Sequence, residues 1–371
     1  MKKYTALLLC LMLTVGIFTG CAKTAGQASP EASVSPTQAS TTKSDTFVFT
    51  DSCGRQVTLP SSITRVAPCG AVAQMILYAV APDILSSCVS KTDDSNRKYY
   101  SDKYLSLPIT GQFYGQSNLN TEALIKANPQ VIIDMGDKKD SEAQDMEDIS
   151  KQTGIPTIFI EATVSTYPTT FRTLGTLLGV KEQGEALAKY TEETLSLAKE
   201  NSAKLTDATR LSVMFGTGKT GLDCNAKGSI QCTVLDAVGV TNAIVVSTVS
   251  SKGGGNTITM EQVISAKPDV ILLDVGGPYA TLASDQYWSG LPAVKAGKFY
   301  EIPSGPYHFL ASPPSINQII GIRWLGNLLY PDLYNYDMTK ELQTFYKLFW
   351  HYDLSDTDAK ALLANSTLKT K

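Results

Sequence analysis

Histidine is scarce in this sequence, and basic runs and paired-cysteine motifs are missing altogether. Only two histidines occur in 371 residues, so a receptor that holds a bare zinc or manganese ion through several histidines is disfavoured. The 32 lysines and arginines are outnumbered by 35 acidic residues and nowhere form a cluster, which argues against nucleic acid as a partner. The sequence contains no Gly-x-Ser-x-Gly elbow, no His-Glu-x-x-His pair and no Cys-x-x-Cys spacing. We therefore expect no enzyme, and catalysis by scattered carboxylates is the enzymatic alternative that stays open.

The apolar stretch at the N-terminus is too short to span a bilayer. It runs from Ala6 to Val15 behind two lysines, and with the small residues that end at Gly20 it predicts a secretory signal over residues 1–20. The Gly-Cys ending is similar to the bacterial lipobox, with Phe18 in place of the usual leucine, which implies that Cys21 carries lipid. In the alternative, the signal is cleaved in the ordinary way and Cys21 has no such role.

Residues 21–45 form the next distinct segment. They are serine, threonine, alanine, proline and glutamine with almost no large apolar side chain. Such a composition cannot form a core and predicts a flexible, lipidated tether. We therefore expect an extracytoplasmic protein that is anchored to the cell membrane through Cys21 and works close to that membrane.

A long amphipathic helix organises the rest of the chain. Leu187, Tyr190 and Leu197 recur with helical spacing within the stretch from Gly179 to Leu205, opposite a charged face. On each side of this helix, apolar strands alternate with helices, a pattern typical of parallel sheets covered on both faces. We thus predict an α/β fold of two similar lobes. The expected divisions are an N-terminal lobe at 46–167, linking helices at 168–205 and a C-terminal lobe at 206–371.

One segment of the first lobe is echoed in the second. Residues 121–133 and residues 260–272 each combine a glutamate in the first helical turn, a proline seven residues later and an apolar strand directly afterwards. The two glutamates are Glu122 and Glu261. Two such segments, one on each side of the long helix, support paired lobes.

Loops after the predicted strands supply candidate ligand-binding residues. Open parallel sheets bind ligands at the carboxyl ends of their strands, and here those ends lead into loops of glycine, aromatic and small residues that can face one cleft. Aromatic rings beside flexible backbone suit a bulky, partly apolar ligand. Core packing is the alternative role for each ring, and a solvated side chain is the alternative for histidine and lysine. The candidates are His308, Tyr307, Tyr114, Gln112, Tyr279, Lys219 and Trp288.

Five cysteines follow Cys21, and disulfides are allowed outside the cell. Cys224 with Cys232 would close a short loop, and Cys69 with Cys88 would join the ends of two neighbouring strands. Because five is an odd number, at least one cysteine is free or paired elsewhere.

Several further segments carry a family resemblance. They are residues 51–60 with Arg65-Val66, the two echoed Glu…Pro segments, residues 291–300, and Pro313-Pro314-Ser315 leading to Trp324-Leu325 and Tyr330-Pro331. Together they resemble the class III periplasmic binding proteins, which deliver ferric siderophores, haem, corrinoids and some oxyanions to ABC importers. The resemblance implies two Rossmann-like lobes with parallel central sheets, joined by one long α-helix, with the ligand cleft between the lobes and little hinge motion.

The resemblance also implies partners. Proteins of this family hand their ligand to an ABC permease and its ATPase, and they dock through one surface glutamate per lobe; the matching positions are Glu122 and Glu261. The alternative is that each carboxylate only stabilises its helix N-terminus, by ~0.5 kcal/mol. We expect a monomer without a cofactor or direct metal ligands that carries a metal chelate, first of all a ferric siderophore. Haem, a corrinoid and molybdate or tungstate are the alternative cargoes, and a bare metal-ion receptor, an enzyme or a purely structural lipoprotein are the alternatives from other classes.

Overall fold

The computed structural model describes residues 45–250 and 254–368. The predicted signal at 1–20, the predicted tether at 21–45 except its last residue, and the predicted lipidation site Cys21 lie outside the described residues. Within the described ranges, no helix combines the length and the apolar character needed to cross a membrane.

The first lobe begins with an antiparallel hairpin and continues as a parallel sheet. Its strands are β1 (Thr46–Thr50), β2 (Gln56–Pro60), β3 (Val66–Pro68), β4 (Val131–Gly136) and β5 (Thr157–Glu161). Its helices are α1 (Ala71–Val80), α2 (Asp102–Leu105), α3 (Thr121–Ala127) and α4 (Glu142–Thr153). The turn Asp51-Ser52-Cys53-Gly54 between two alternating runs predicts a hairpin, and β1 and β2 form it. Strand β4 lies between β3 and β5. Because β4 is buried over nearly its whole length, its apolar residues are continuous rather than alternating.

Two helices link the lobes, α5 (Tyr167–Leu177) and α6 (Lys181–Ser202). Helix α6 confirms the predicted long helix. The two helices are in close contact at Gly175 and Gly184. A Cβ atom on Gly184 would lie 2.5 Å from the carbonyl oxygen of Phe171 and 2.9 Å from the Cα of Gly175, which is too close for any side chain. The crossing therefore depends on a residue without a side chain.

The second lobe has a mixed sheet with a parallel centre. Its strands are β6 (Ser212–Thr217), β7 (Asp223–Cys224), β8 (Thr241–Asn242), β9 (Asn256–Thr257), β10 (Val270–Leu273) and β11 (Phe299–Glu301). Strands β11, β10, β6 and β8 pair in parallel, whereas β7 and β9 extend the sheet as antiparallel strands. The helices are α7 (Thr233–Val238), α8 (Met260–Ala266), α9 (Pro292–Lys295), α10 (Asn317–Leu329), α11 (Pro331–Tyr334), α12 (Met338–Trp350) and α13 (Asp356–Leu362). The protein is thus α/β, with two lobes joined by α6, as predicted.

Helix α12 returns to the first lobe. The ring of Trp350 lies 5.9 Å from that of Tyr78 on α1, measured between centroids. From α6, the side-chain amide of Gln183 donates to the carbonyl oxygens of Ala79 (2.9 Å) and Leu348 (3.0 Å). One side chain thereby joins α6, α1 and α12, so residues assigned to the C-terminal lobe also pack on the first. The residue boundaries of the lobes stay a prediction.

The apolar run at 84–89 predicts a strand but forms only the edge of one. It meets strand β3 through one isolated parallel bridge, Val66 with Leu85, and a second bridge joins Cys88 to Ile109 outside the sheet. A short 3₁₀ turn, Pro82–Ile84, takes up its first residue.

The apolar run at 243–246 also predicts a strand, and this prediction is wrong. Strand β8 ends at Asn242. The buried side chain of Asn242 accepts from the backbone N–H of Ile244 (3.0 Å) and donates to the carbonyl oxygen of Asn225 (2.9 Å). Local bonds of this kind replace the ladder bonds that a longer strand would need.

Neither predicted disulfide is formed, and all five described cysteines are free thiols. The thiol of Cys232 points to the carbonyl oxygen of Asn225 at 3.2 Å, not to Cys224. Cys69 and Cys88 pack in different hydrophobic clusters.

Candidate ligand-binding cleft

Two pockets are lined by α1 together with residues 304–314, so each takes side chains from both lobes. They mark the cleft between the lobes. One of them, which we call the first-lobe pocket, has a volume of about 280 Å³. The other contains His308, is called the histidine pocket below, and has a volume of about 330 Å³. The first-lobe pocket includes Gly70, Gln112, Tyr114, Asp134, Lys139 and Pro313. The histidine pocket includes Gln74, Lys91, Asn96, Tyr307, His308 and Ser312.

His308 is buried and its orientation is fixed by backbone groups. Its Nδ1 accepts from the N–H groups of Leu310 (3.2 Å) and Ala311 (3.1 Å), so the proton of the neutral ring lies on Nε2. The ring stacks on Phe215 with centroids 5.6 Å apart. Nε2 lies 3.1 Å from Asp274 Oδ1 but is not aligned for a hydrogen bond. His308 therefore keeps a buried Nε2–H that lies against Asp274, and it presents no lone pair for a metal.

Tyr307 lines the same pocket but is also a packing residue. Its ring stacks on Trp350 at 5.7 Å, and its hydroxyl oxygen lies 3.5 Å from the amide nitrogen of Gln74. Burial raises the pKa of the Tyr307 hydroxyl. Tyr307 and Gln74 both line the pocket.

Tyr114 and Gln112 both line the first-lobe pocket, as their loop predicts. The Tyr114 hydroxyl donates to Asp145 Oδ2 at 2.5 Å. The ammonium of Lys139 lies over the Tyr114 ring, 3.4 Å from its centroid, a cation–π geometry. Tyr114 thus positions a lysine that the pocket exposes to a ligand.

A buried carboxyl group forms part of the first-lobe pocket. Asp134, at the carboxyl-terminal half of β4, is 3% exposed. Burial and the neighbouring charge of Glu142 raise the pKa of Asp134 to about 7. A Cβ atom at Gly70 would lie 2.9 Å from Asp134 Oδ1, so a larger residue before α1 would push this carboxyl group aside.

Replacing Asp134 with asparagine should change how stability depends on pH. Since the folded protein keeps a proton on Asp134 up to about pH 7 while the unfolded chain loses it near pH 4, wild-type stability falls across this interval. The Asp134→Asn variant lacks this decline and should gain up to about 4 kcal/mol relative to wild type between pH 4 and pH 7. Urea unfolding at several pH values measures the difference, and parallel curves for the two proteins would contradict the raised pKa.

Three candidates from the sequence lie away from both pockets. Trp288 is 4% exposed and belongs to the core of the second lobe, so its ring is not available for stacking on a ligand. Tyr279 packs on Phe299 with centroids 5.4 Å apart. Lys219 is exposed in the loop after β6 and lines neither pocket.

Sequence reasoning missed Lys91, Asn96, Asp134 and Lys139, all of which line a pocket. Asp134 can be recognised as unusual from the sequence, because it is the only charged residue in the strand VIIDMG. The two lysines cannot, since nothing in their local sequence separates them from other surface lysines.

Glu122 and Glu261 occupy equivalent positions in the two lobes. Both are exposed in the first turn of a seven-residue helix, α3 and α8 respectively. Each helix also exposes an isoleucine three residues later, Ile125 at 48% and Ile264 at 50%, and residues three apart share a helix face. Each lobe thus presents a carboxylate beside an apolar side chain.

The chain is similar to known proteins over most of its length. A family model described as "Periplasmic binding protein" matches residues 76–306. Among solved structures, an ABC transporter solute-binding protein from Sulfurospirillum deleyianum is 28% identical, with a TM-score of 0.77 over 85% of this chain and 99% of that one. A periplasmic solute-binding protein from Veillonella parvula is 24% identical, with a TM-score of 0.71 over 86% and 98% of the two chains. The molybdate-bound protein MolA from Haemophilus influenzae shares the fold at 17% identity and a TM-score of 0.64, over 83% and 99%.

None of the curated proteins matches the sequence. The family match nevertheless spans both lobes and the linking helices, and the cleft lies where these folds bind ligands. The chain therefore belongs to the class III periplasmic binding proteins and is a solute-binding protein of an ABC transporter.

Proposed function

We propose that this protein captures an anionic metal chelate, a ferric siderophore in the first instance, and delivers it to its ABC permease. The observation that carries the proposal is the lining of the cleft. Lys139 and Lys91 line one pocket each. Lys139 lies over the Tyr114 ring, and Tyr307 lines the same pocket as Lys91. Cations next to aromatic faces suit an oxygen-rich, negatively charged and partly apolar ligand.

Further donors support the same ligand class. Helix α1 begins in the first-lobe pocket at Gly70 without a side-chain cap, so its first backbone N–H groups are free to donate to an anion. All these groups donate hydrogen bonds, which an anionic chelate accepts.

A binding screen tests the proposal. The probes are the ferric complexes of a tricatecholate, a trihydroxamate and citrate, with haem, cobalamin, molybdate, tungstate and zinc for comparison, followed by calorimetry. We expect a ferric chelate to bind, and Lys91→Ala with Lys139→Ala to weaken it at least about tenfold, since a charge-assisted hydrogen bond contributes about 1.5–3 kcal/mol. Lys138→Ala is the control, because Lys138 donates to the carbonyl oxygen of Ser52 and lines neither pocket.

The comparison probes decide between cargoes. Tight binding of haem, cobalamin, molybdate or tungstate alone would replace the siderophore with that cargo. Binding of free zinc in preference to every chelate would overturn the proposal.

Delivery completes the proposed function. Glu122 and Glu261 are proposed to contact the permease, one from each lobe, and lipid on Cys21 is proposed to hold the protein at the membrane. Metabolic labelling with a palmitate analogue, with Cys21→Ser as control, tests the anchor. Equal labelling of the two proteins would exclude it.

A further inference from the structure

Two buried carboxyl groups lie together at the first-lobe pocket with too few partners. Asp134 is 3% exposed and lines the pocket. Glu142, the first residue of α4, is 0% exposed; its Oε2 lies 3.3 Å from Lys139 Nζ, and its Oε1 has no hydrogen-bond partner within the described residues. Burying two ionised carboxylates beside one ammonium group is costly.

The two carboxyl groups are also neighbours. Lys139, which lies 3.3 Å from Glu142, lines the same pocket as Asp134, and the charge of Glu142 helps to raise the pKa of Asp134. Because an ionised carboxylate is only an acceptor, a bond between two carboxyl groups requires a proton on one of them. The unpartnered oxygen of Glu142 and the burial of Asp134 both favour that arrangement.

The surrounding groups supply one positive charge. Lys139 is the cation, and the pKa of the Cys69 thiol is raised well above its ordinary value by burial and by Asp134, so Cys69 is neutral. Tyr114 is neutral as well and donates to Asp145. Asp137 also lines the pocket beside Lys139, and burial raises its pKa. With Asp137 ionised, these groups sum to −1 with one proton on the pair (+1 − 1 − 1) and to −2 without it (+1 − 1 − 1 − 1).

We propose that Asp134 and Glu142 hold a single proton between them and that an anionic ligand binds in the first-lobe pocket together with that proton. This proposal rests on the proposed function. A negative ligand beside Lys139 competes with the second carboxylate charge, so binding draws a proton onto the pair. The affinity for such a ligand then falls by up to about tenfold per pH unit once the pair ionises.

The shared proton is tested without a ligand. Protein labelled with ¹³C at aspartate and glutamate carboxyl carbons is titrated by NMR. We expect one buried carboxyl group that stays protonated well above pH 5 and whose signal is lost in Asp134→Asn and altered in Glu142→Gln. Glu147→Gln is the matched control, because Glu147 lies exposed on the same helix and also pairs with a lysine, Lys151, at 2.7 Å. If both carboxyl groups of the wild-type protein are ionised at pH 5, the proposal is wrong, whether or not the variants fold.

Proton uptake on binding is tested with the chelates of the screen. Ferric citrate and the ferric tricatecholate are titrated by calorimetry at pH 8 in two buffers that differ in ionisation enthalpy. Uptake approaching one proton per ligand in wild type and none in Asp134→Asn supports the proposal, and binding without uptake by wild type contradicts it. If no chelate binds, the proposed cargo fails, while the NMR titration still decides whether the proton is shared.

Discussion

Exchanging Glu122 and Glu261 together for arginine should abolish ligand import and leave ligand binding unchanged. Both carboxylates are exposed in the first turns of α3 and α8, and neither lines a pocket of the cleft. If they meet cations on the permease, two reversed charges replace two attractions with repulsions, and like-charge contact costs several kcal/mol. We expect at least a 100-fold loss of permease affinity.

The measurement uses permease of the same host held in lipid nanodiscs, with the purified protein added without ligand. A matched control is Glu182→Arg with Asp356→Arg, because these residues are also exposed acids in the first turn of a helix. The control carries the same charge change and the same loss at helix N-termini. Equal loss of permease binding in both double variants would show that net charge, not the two positions, matters. Loss of chelate binding in Glu122→Arg/Glu261→Arg would also contradict the assignment.

Replacing Gly184 with valine should destabilise the protein by about 3 kcal/mol or more. Glycine within a helix normally costs about 1 kcal/mol relative to alanine, so a larger residue would ordinarily stabilise α6. Here a Cβ atom would lie 2.5 Å from a backbone oxygen, that of Phe171. A backbone carbonyl cannot rotate away as a side chain can, so α5 and α6 must separate.

Urea unfolding of Gly184→Val, Gly184→Ala and the control Ser196→Val measures this effect. Ser196 is exposed on the same helix, so its change reports only helix propensity, which is below about 1 kcal/mol. We expect Gly184→Ala to be destabilising as well, against its propensity. A stabilised alanine variant would mean that the close crossing of α5 and α6 does not exist in solution.

Sequence reasoning succeeded where the signal was local. Helix α8 lies where the segment 260–272 predicts a helix, because a glutamate in the first turn and a proline seven residues on bracket it. The periodic face of α6 identified the linking helix, and the hairpin β1–β2 followed from the turn at its centre. Such features depend on residues within one or two turns of each other.

The failures involve contacts between distant parts of the chain. Trp288 stands beside glycine and serine in the sequence, as a ligand-stacking ring would, yet packing from other elements buries it. Lys91 and Lys139 become site residues only because residues 304–314 come to lie against α1. The run at 243–246 looks like a strand until the side-chain bonds of Asn242 are known. Local sequence patterns do not show which distant residues will pack against or bond to a given side chain.

The two bonds of Gln183 bear on how an importer distinguishes a loaded from an empty receptor. They join α6 to the last turn of α1, at Ala79, and to the last turn of α12, at Leu348. A clamshell swing would break them, so we expect capture to proceed with the distance between Glu122 and Glu261 nearly constant. The transporter would then recognise the bound ligand at the entrance of the cleft rather than through a change in the distance between Glu122 and Glu261.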